Sequence, residues 1–321
     1  MTELYPLTFV PRFKELVWGG ARLASELGKA CPPAKRIGES WELVDLPDDQ
    51  SLVAEGALVG RSLQELMVSY PEALLGPVAS AEGRFPLLVK YIDAARTLSV
   101  QVHPDKEAAR KLGGRPKHEA WYILGVEAGA KLYVGLQPGT TQEMLQEAIA
   151  NDTLESLLVE VEACVGDLVP VEPGMVHAIG AGILLAEVQQ PSDTTFRLHD
   201  WGRVGLDGRA RPLHIHEALE SISFFPDPVK AEFDSRAASY DAGHFLIRIH
   251  DASHGEPLGL GEGQGPLVVV GLDGVGRVVD TQGRGVEMHR GQVALFPHCC
   301  RPALVEGDDL KAMFVTFPLP R

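Results

Sequence analysis

The chain has 321 residues, of which 45% are hydrophobic and 23% charged, and a formal net charge of −15. That length can bury a substantial core without disulfides, and the composition is that of an ordinary globular protein. Asp and Glu (44) outnumber Lys and Arg (29), so most of the surface repels nucleic acid and anionic membranes, and no apolar run is long enough to cross a bilayer.

A phosphorylated ligand would therefore require a local cluster of Lys and Arg within an acidic molecule. The four cysteines, Cys31, Cys164, Cys299 and Cys300, show no CxxC spacing, and an adjacent pair does not readily bridge. Reduced thiols favour the cytoplasm. The opening Met1-Thr2-Glu3-Leu4-Tyr5-Pro6 lacks the basic stretch and apolar core of a signal peptide and supports the same compartment.

In chain order, apolar residues first recur at helical spacing from Ser62 to Leu75, the predicted helical segment 62–75. Strands follow at Leu87–Ile92, Ala120–Leu124 and Lys131–Leu136, bounded by Gly and Pro turns. Pro138-Gly139-Thr140-Thr141 with Glu143 reads as a turn and N-cap opening a second helical segment, 141–158, whose Met144, Leu145, Ile149, Leu154, Leu157 and Leu158 are expected to face a barrel wall. A third helix is expected over Ile215–Ser221. The proline pair in Phe224-Phe225-Pro226-Asp227-Pro228 interrupts the pattern, which places a domain boundary there: residues 1–228 as the catalytic unit and 229–321 as a smaller β domain. Gly19, Gly20, Gly174, Gly180 and Gly182 are assigned to turns needing positive φ. The fold class is mainly β, a sandwich or barrel with helical insertions.

Two segments resemble the second half of a cupin (jelly-roll) barrel motif, in which a His eleven residues after a turn Gly points inward to a metal. Gly166 and His177 keep that spacing, with Gly174 at the turn and Pro173 one place late. A later copy from Gly291 to Pro297 has Pro302 where the ligand would stand, so the second β domain is expected to be a degenerate cupin without metal.

In Leu98-Ser99-Val100-Gln101-Val102-His103-Pro104-Asp105, Gln101 and His103 lie at i and i+2 on a strand and share a face. Glu119 follows in Lys117-His118-Glu119-Ala120-Trp121-Tyr122. Gln101, His103, Glu119 and His177 make three strong ligands and one weak amide, a set that leaves room for water or substrate; it suits Zn2+, and iron, manganese or cobalt also fit. Taken singly, a His or Glu on a strand is more often a core or surface residue, and the weight lies in the combination.

These segments, with Pro173–Gly180, Thr195-Phe196-Arg197-Leu198-His199-Asp200-Trp201, Trp18-Gly19-Gly20 and Gly38-Glu39-Ser40-Trp41-Glu42, resemble the signature segments of type I mannose-6-phosphate isomerases in their short bacterial form. The resemblance covers most of residues 10–220. It implies one zinc ion held by His103, Glu119 and His177 with Gln101 beside it, an active-site arginine at Arg197, and interconversion of mannose 6-phosphate and fructose 6-phosphate. Phe196 and His199 stand where Tyr is common in the family, and Ala120 where Cys is frequent.

Aldose–ketose exchange moves a proton between C1 and C2 through an enediolate whose charge needs stabilising, work for a Lewis acid and a nearby cation such as Arg197. Lys117, two residues before Glu119, shares its face and is expected to contact substrate. Lys90, on an apolar strand, either faces the cavity or leaves by an edge. Glu187 is read either as the proton shuttle or as a salt-bridge partner of Arg197, and Glu39 and Trp41 either line the cavity or close the barrel.

The expected partner is a sugar phosphate, with no nucleic acid and no membrane; the oligomeric state is not legible. Two other readings share the ligand set: an iron-dependent cupin oxygenase, which wants a less charged pocket, and a non-enzymatic sugar-binding cupin whose metal is fully ligated by protein.

Overall fold

The computed structural model describes residues 3–78, 80, 83–224, 238–251, 265–300, 302–307 and 309–318. The chain is mainly β, as expected, and its strands lie in separate sheets rather than one closed ring. A six-stranded antiparallel sheet runs in the order Arg12–Gly20, Ile37–Leu43, Leu88–Ala94, Ile183–Gln189, Glu119–Val126, Leu168–Val171. Facing it is a five-stranded antiparallel sheet ordered Phe196–His199, Val100–Val102, His177–Ile179, Lys131–Leu136, Leu158–Glu162.

Side-chain alternation sorts the apolar residues into layers. Ile92, Trp121, Ile123 and Leu185 from the six-stranded sheet meet Leu132, Val134 and Ile179 from the five-stranded sheet between the two. On the outer face of the five-stranded sheet, Val100, Val102, Ala178 and Leu198 are covered by Leu145, Leu154 and Ala218 of the helical segments. On the back of the six-stranded sheet, Val89, Tyr91, Tyr122 and Ala186 pack with Val268, Val270, Leu295, Met313 and Val315 of a C-terminal five-stranded sheet. That C-terminal sheet then packs against a three-stranded one through Val269, Val278, Met288 and Phe314.

The six-stranded sheet is thus covered on both faces, and every residue of its strands Leu88–Ala94 and Ile183–Gln189 is buried. A charged residue on such a strand has no edge to leave by, and must face whatever polar space lies between the sheets.

The expected helices form at Leu63–Ser69 and Pro71–Leu75, at Gln142–Ala150 followed by a short 3-10 turn at Leu154–Leu157, and at Ile215–Ser221. Ser62 and Glu65 close a capping box on the first, and the Thr141 hydroxyl caps the Gln142 helix. Met144 is exposed and does not face the sheet; Leu145 and Leu154 do, with Ile149 and Leu157 packed against them part-buried, while Leu158, expected on the helix, instead opens the sheet strand Leu158–Glu162. Helix Lys106–Leu112, not anticipated, is capped by Asp105, which accepts from Ala108 N at 2.8 Å.

Gly174 and Gly182 take the expected positive φ, but Gly19, Gly20 and Gly180 do not. Gly19 is needed because a Cβ there would collide with the Gly38 backbone, and one at Gly180 with the Lys131 carbonyl. The boundary expected at residue 228 lies outside the described residues.

Candidate metal centre and active-site cleft

Register brings the charged residues of the six-stranded sheet into one row. Lys90 is the Cα partner of both Trp41 and Glu187, and Glu187 is also opposite Trp121. In the facing sheet, Gln101 is paired with Arg197 on one side and His177 on the other. Two polar rows therefore meet between the sheets.

His103, Glu119 and His177 are fully buried, and one ligand atom from each lies within 4.8 Å of the others. His103 Nε2 is 3.4 Å from Glu119 Oε2, and His177 Nε2 is 3.4 Å from Glu119 Oε1. Each imidazole donates its Nδ1 hydrogen to a backbone carbonyl, His103 to Thr194 O and His177 to Met175 O, both at 2.9 Å. That tautomer leaves both Nε2 lone pairs aimed at a carboxylate, three acceptors with no proton between them.

His103 Nε2 has no hydrogen-bond partner among the described residues. Such an arrangement is repulsive unless a cation sits among the three, and it satisfies the nitrogen–oxygen donor set of a divalent metal site. Burial, then the charge of Lys117, pulls the His103 pKa down to about 3, and burial lowers that of His177, so both rings are neutral and able to ligate.

Gln101 is adjacent, but its amide nitrogen is the atom that faces His177 Nε2, at 3.2 Å. In this orientation it donates to a ligand atom rather than acting as a ligand; turning the amide over would present its oxygen.

Next to the triad, Lys117 Nζ lies 2.7 Å from Glu119 Oε2 and 3.7 Å from Glu187 Oε1. Lys90 Nζ is 3.1 Å from Glu187 Oε1 and 3.5 Å from Glu39 Oε2. Trp121 Nε1 donates to Glu187 Oε2 at 3.0 Å, and Trp41 Nε1 to Glu39 Oε2 at 2.6 Å. Burial opposes charge on Glu119, Glu187 and Lys90, and their neighbours decide the outcome. Against its burial, Glu119 is held well below the carboxylate range by Lys117 and His103. Glu187 is pushed up by burial and by the charge of Glu119. Lys90 is raised despite burial, by Glu187 and Glu39, and stays protonated.

The expected alternative of a Glu187–Arg197 ion pair is not what forms. Glu187 pairs with the two lysines, and Arg197 Nη1 donates to Pro212 O at 2.8 Å while its buried Nε has no hydrogen-bond partner among the described residues.

A cleft of about 380 Å³ opens beside the triad, bordered by Gln101, Lys117, Glu187, Lys90, Glu39, Trp41 and Arg197. Five cations, Lys14, Lys90, Lys117, Arg197 and Arg211, line it against three carboxylates, Glu39, Glu187 and Asp193. This is the local positive cluster that an anionic ligand needs in an acidic protein, and it is the opposite of the less charged pocket an oxygenase wants.

A model of the phosphomannose isomerase type I catalytic domain matches residues 7–122. The chain is 42% identical over 220 residues to the mannose-6-phosphate isomerase ManA of Bacillus subtilis, covering 68% of both chains. The chain belongs to the type I phosphomannose isomerase family. A mannose-6-phosphate isomerase of Streptococcus mutans is 37% identical over 219 residues, again 68% of both chains. The crystal structure of the Bacillus subtilis mannose 6-phosphate isomerase superposes over 98% of this chain and all of that one, with a TM-score of 0.84 at 26% identity.

Two cations of this isomerase-family cleft escaped the sequence reading. Lys14, Leu16 and Trp18 recur at period two on the Arg12–Gly20 strand and face the cleft together; that alternation, ending in Trp18-Gly19-Gly20, was the available signal. Arg211 has no such signal, because it reaches the cleft from a hairpin folded back across Asp200.

Proposed function

We propose that the chain is a zinc-dependent mannose-6-phosphate isomerase, interconverting mannose 6-phosphate and fructose 6-phosphate. The observation that carries this reading is the buried His103–Glu119–His177 group opening onto a cation-lined cleft. Two imidazoles and a carboxylate suit zinc, which His103, Glu119 and His177 would hold. Bound there, the metal supplies Lewis acidity that lowers the cost of negative charge on O1 and O2.

The remaining work falls to the chain's own side chains. Glu187 Oε1 takes the proton from C2 of the aldose and delivers it to C1, while the O2 hydroxyl proton passes to O1 so that the ketose forms, a role for Glu187 that its raised pKa suits. Lys117 keeps Glu119 ionised and therefore able to ligate. Lys90 holds Glu187 and Glu39 apart in charge, and Trp41 and Glu39 form the wall against which the sugar lies. Arg197, one strand from Gln101, presents its guanidinium to the substrate's negative charge.

Residues 1–228 carry the chemistry in this reading, and 229–321 a supporting β domain; every cleft-lining residue precedes position 212. A cytoplasmic setting is supported by four cysteines that form no disulfide. No helix among the described residues is long and apolar enough to cross a membrane.

A coupled assay with mannose 6-phosphate on the wild type, His103→Ala and Arg197→Ala tests the proposal. Both variants are expected to lose on the order of a hundredfold or more in kcat/KM. Equal rates in all three would remove the mechanism.

A further inference from the structure

The two histidines obtain their orienting carbonyls differently. His177 uses Met175 O, two residues away on its own approach to the strand, while His103 reaches Thr194 O, 91 residues along the chain. The direction of the His103 ring therefore depends on where the loop 192–194 sits. That loop is held by a closed set of hydrogen bonds. Thr194 Oγ1 accepts from Arg115 N at 3.0 Å, Thr194 N donates to Ser192 Oγ at 3.2 Å, and Ser192 Oγ donates to Arg115 O at 3.2 Å. Gln189 Nε2 donates to Ser192 O at 2.6 Å, and Ser192 and Gln189 are both buried. The 113–115 turn comes so close that a Cβ on Gly114 would stand 2.6 Å from Thr194 Cγ2.

We propose that Thr194 and Ser192 are positioning residues for the metal: their hydroxyls latch the loop to the 113–115 turn and so fix the carbonyl that aims His103 Nε2 at the ion. This rests on the metal centre described above and assigns its affinity to residues that touch neither metal nor substrate. An outer-shell partner that orients a ligating histidine typically changes metal affinity by 10–100-fold. A Thr194→Val variant keeps the shape and the backbone carbonyl but loses the acceptor for Arg115 N, whereas Thr194→Ser keeps it. Gly114→Ala disturbs the same loop by contact, without removing any hydrogen-bonding group.

The test is competitive titration of metal-stripped full-length protein with Zn2+ against a chromophoric chelator, together with kcat and KM on zinc-loaded protein. Thr194→Val, Ser192→Ala and Gly114→Ala are expected to bind Zn2+ about 10–100-fold more weakly, with Thr194→Ser within a few-fold of the wild type. Under saturating zinc, the variants should recover most of kcat. Zinc affinity in Thr194→Val within twofold of the wild type would overturn the latch. If Thr194→Val does not fold, unchanged affinity in Gly114→Ala or Ser192→Ala overturns it equally. A wild type that binds no Zn2+ would instead overturn the metal centre on which the latch depends.

Discussion

Glu119 and Glu187 both lie against Lys117, and their surroundings drive their acidities apart. Lys117 and His103 hold Glu119 ionised, while burial and the neighbouring Glu119 charge raise Glu187. Such a split separates a ligand from a proton carrier. Glu187→Gln, which keeps shape but cannot take a proton, is expected to lower kcat by roughly 10²–10⁴-fold while leaving zinc affinity unchanged; kcat within threefold of the wild type would reduce Glu187 to an ion-pair residue. At this scale the sequence was informative where chemistry and periodicity coincide. Gln101 and His103 at i and i+2, Lys117 and Glu119 at the same spacing, and His177 eleven residues after Gly166 could all be read before any fold was known. The partner of Glu187 could not, because pairing with Lys90 rather than Arg197 follows from cross-strand register, which ten residues of sequence separation do not encode.

Among the elements, the hairpin carrying Arg211 is held by one buried carboxylate. Asp200 accepts from Arg203 Nε at 2.8 Å and from Arg211 Nε at 2.7 Å. Burial pushes the Asp200 carboxyl up, but the bonds from Arg211 and Arg203 outweigh it and hold the group below the usual carboxylate range. A carboxyl depressed on folding stabilises fully above its unfolded pKa, about 3.9, and that contribution fades as pH falls toward the folded value.

Asp200→Asn is thus expected to cost roughly 1.5–3 kcal/mol at pH 7, as for a hydrogen bond to a charged group, with the gap to the wild type closing below about pH 3.9. Thermal unfolding of both proteins, metal-free throughout so that ion release at low pH does not enter, measures it; a gap that does not change with pH contradicts the clamp. The longer elements were legible from caps and periodicity. Lys106–Leu112 was not, because Asp105 is both the end of the ligand segment and the N-cap of that helix, and the first role masked the second.

For the whole molecule, the layering explains why the charges of the six-stranded sheet gather in one place. Its back is sealed by the C-terminal sheet, so Lys90, Glu119 and Glu187 have only the space between the N-terminal sheets to face. Strands buried on both faces read as continuous apolar runs, which announce burial but not what covers them, and the docking of Val268, Met313 and Val315 was for that reason invisible in the sequence.

Met313→Ala, in this shared core and away from the cleft, is expected to cost roughly 2–4 kcal/mol of stability by chemical denaturation, with kcat/KM unchanged at temperatures where the variant is folded. A tenfold loss of activity at unchanged stability would show that the C-terminal sheet acts on the chemistry and not only on the fold.

The arrangement stands on an ion among His103, Glu119 and His177, and anomalous diffraction at the zinc edge from crystals of the zinc-loaded, active protein tests it most directly. A single peak about 2.0–2.2 Å from His103 Nε2, His177 Nε2 and a Glu119 carboxylate oxygen is expected. A peak elsewhere, or none at all in crystals of the active enzyme, would contradict a metal centre at these residues.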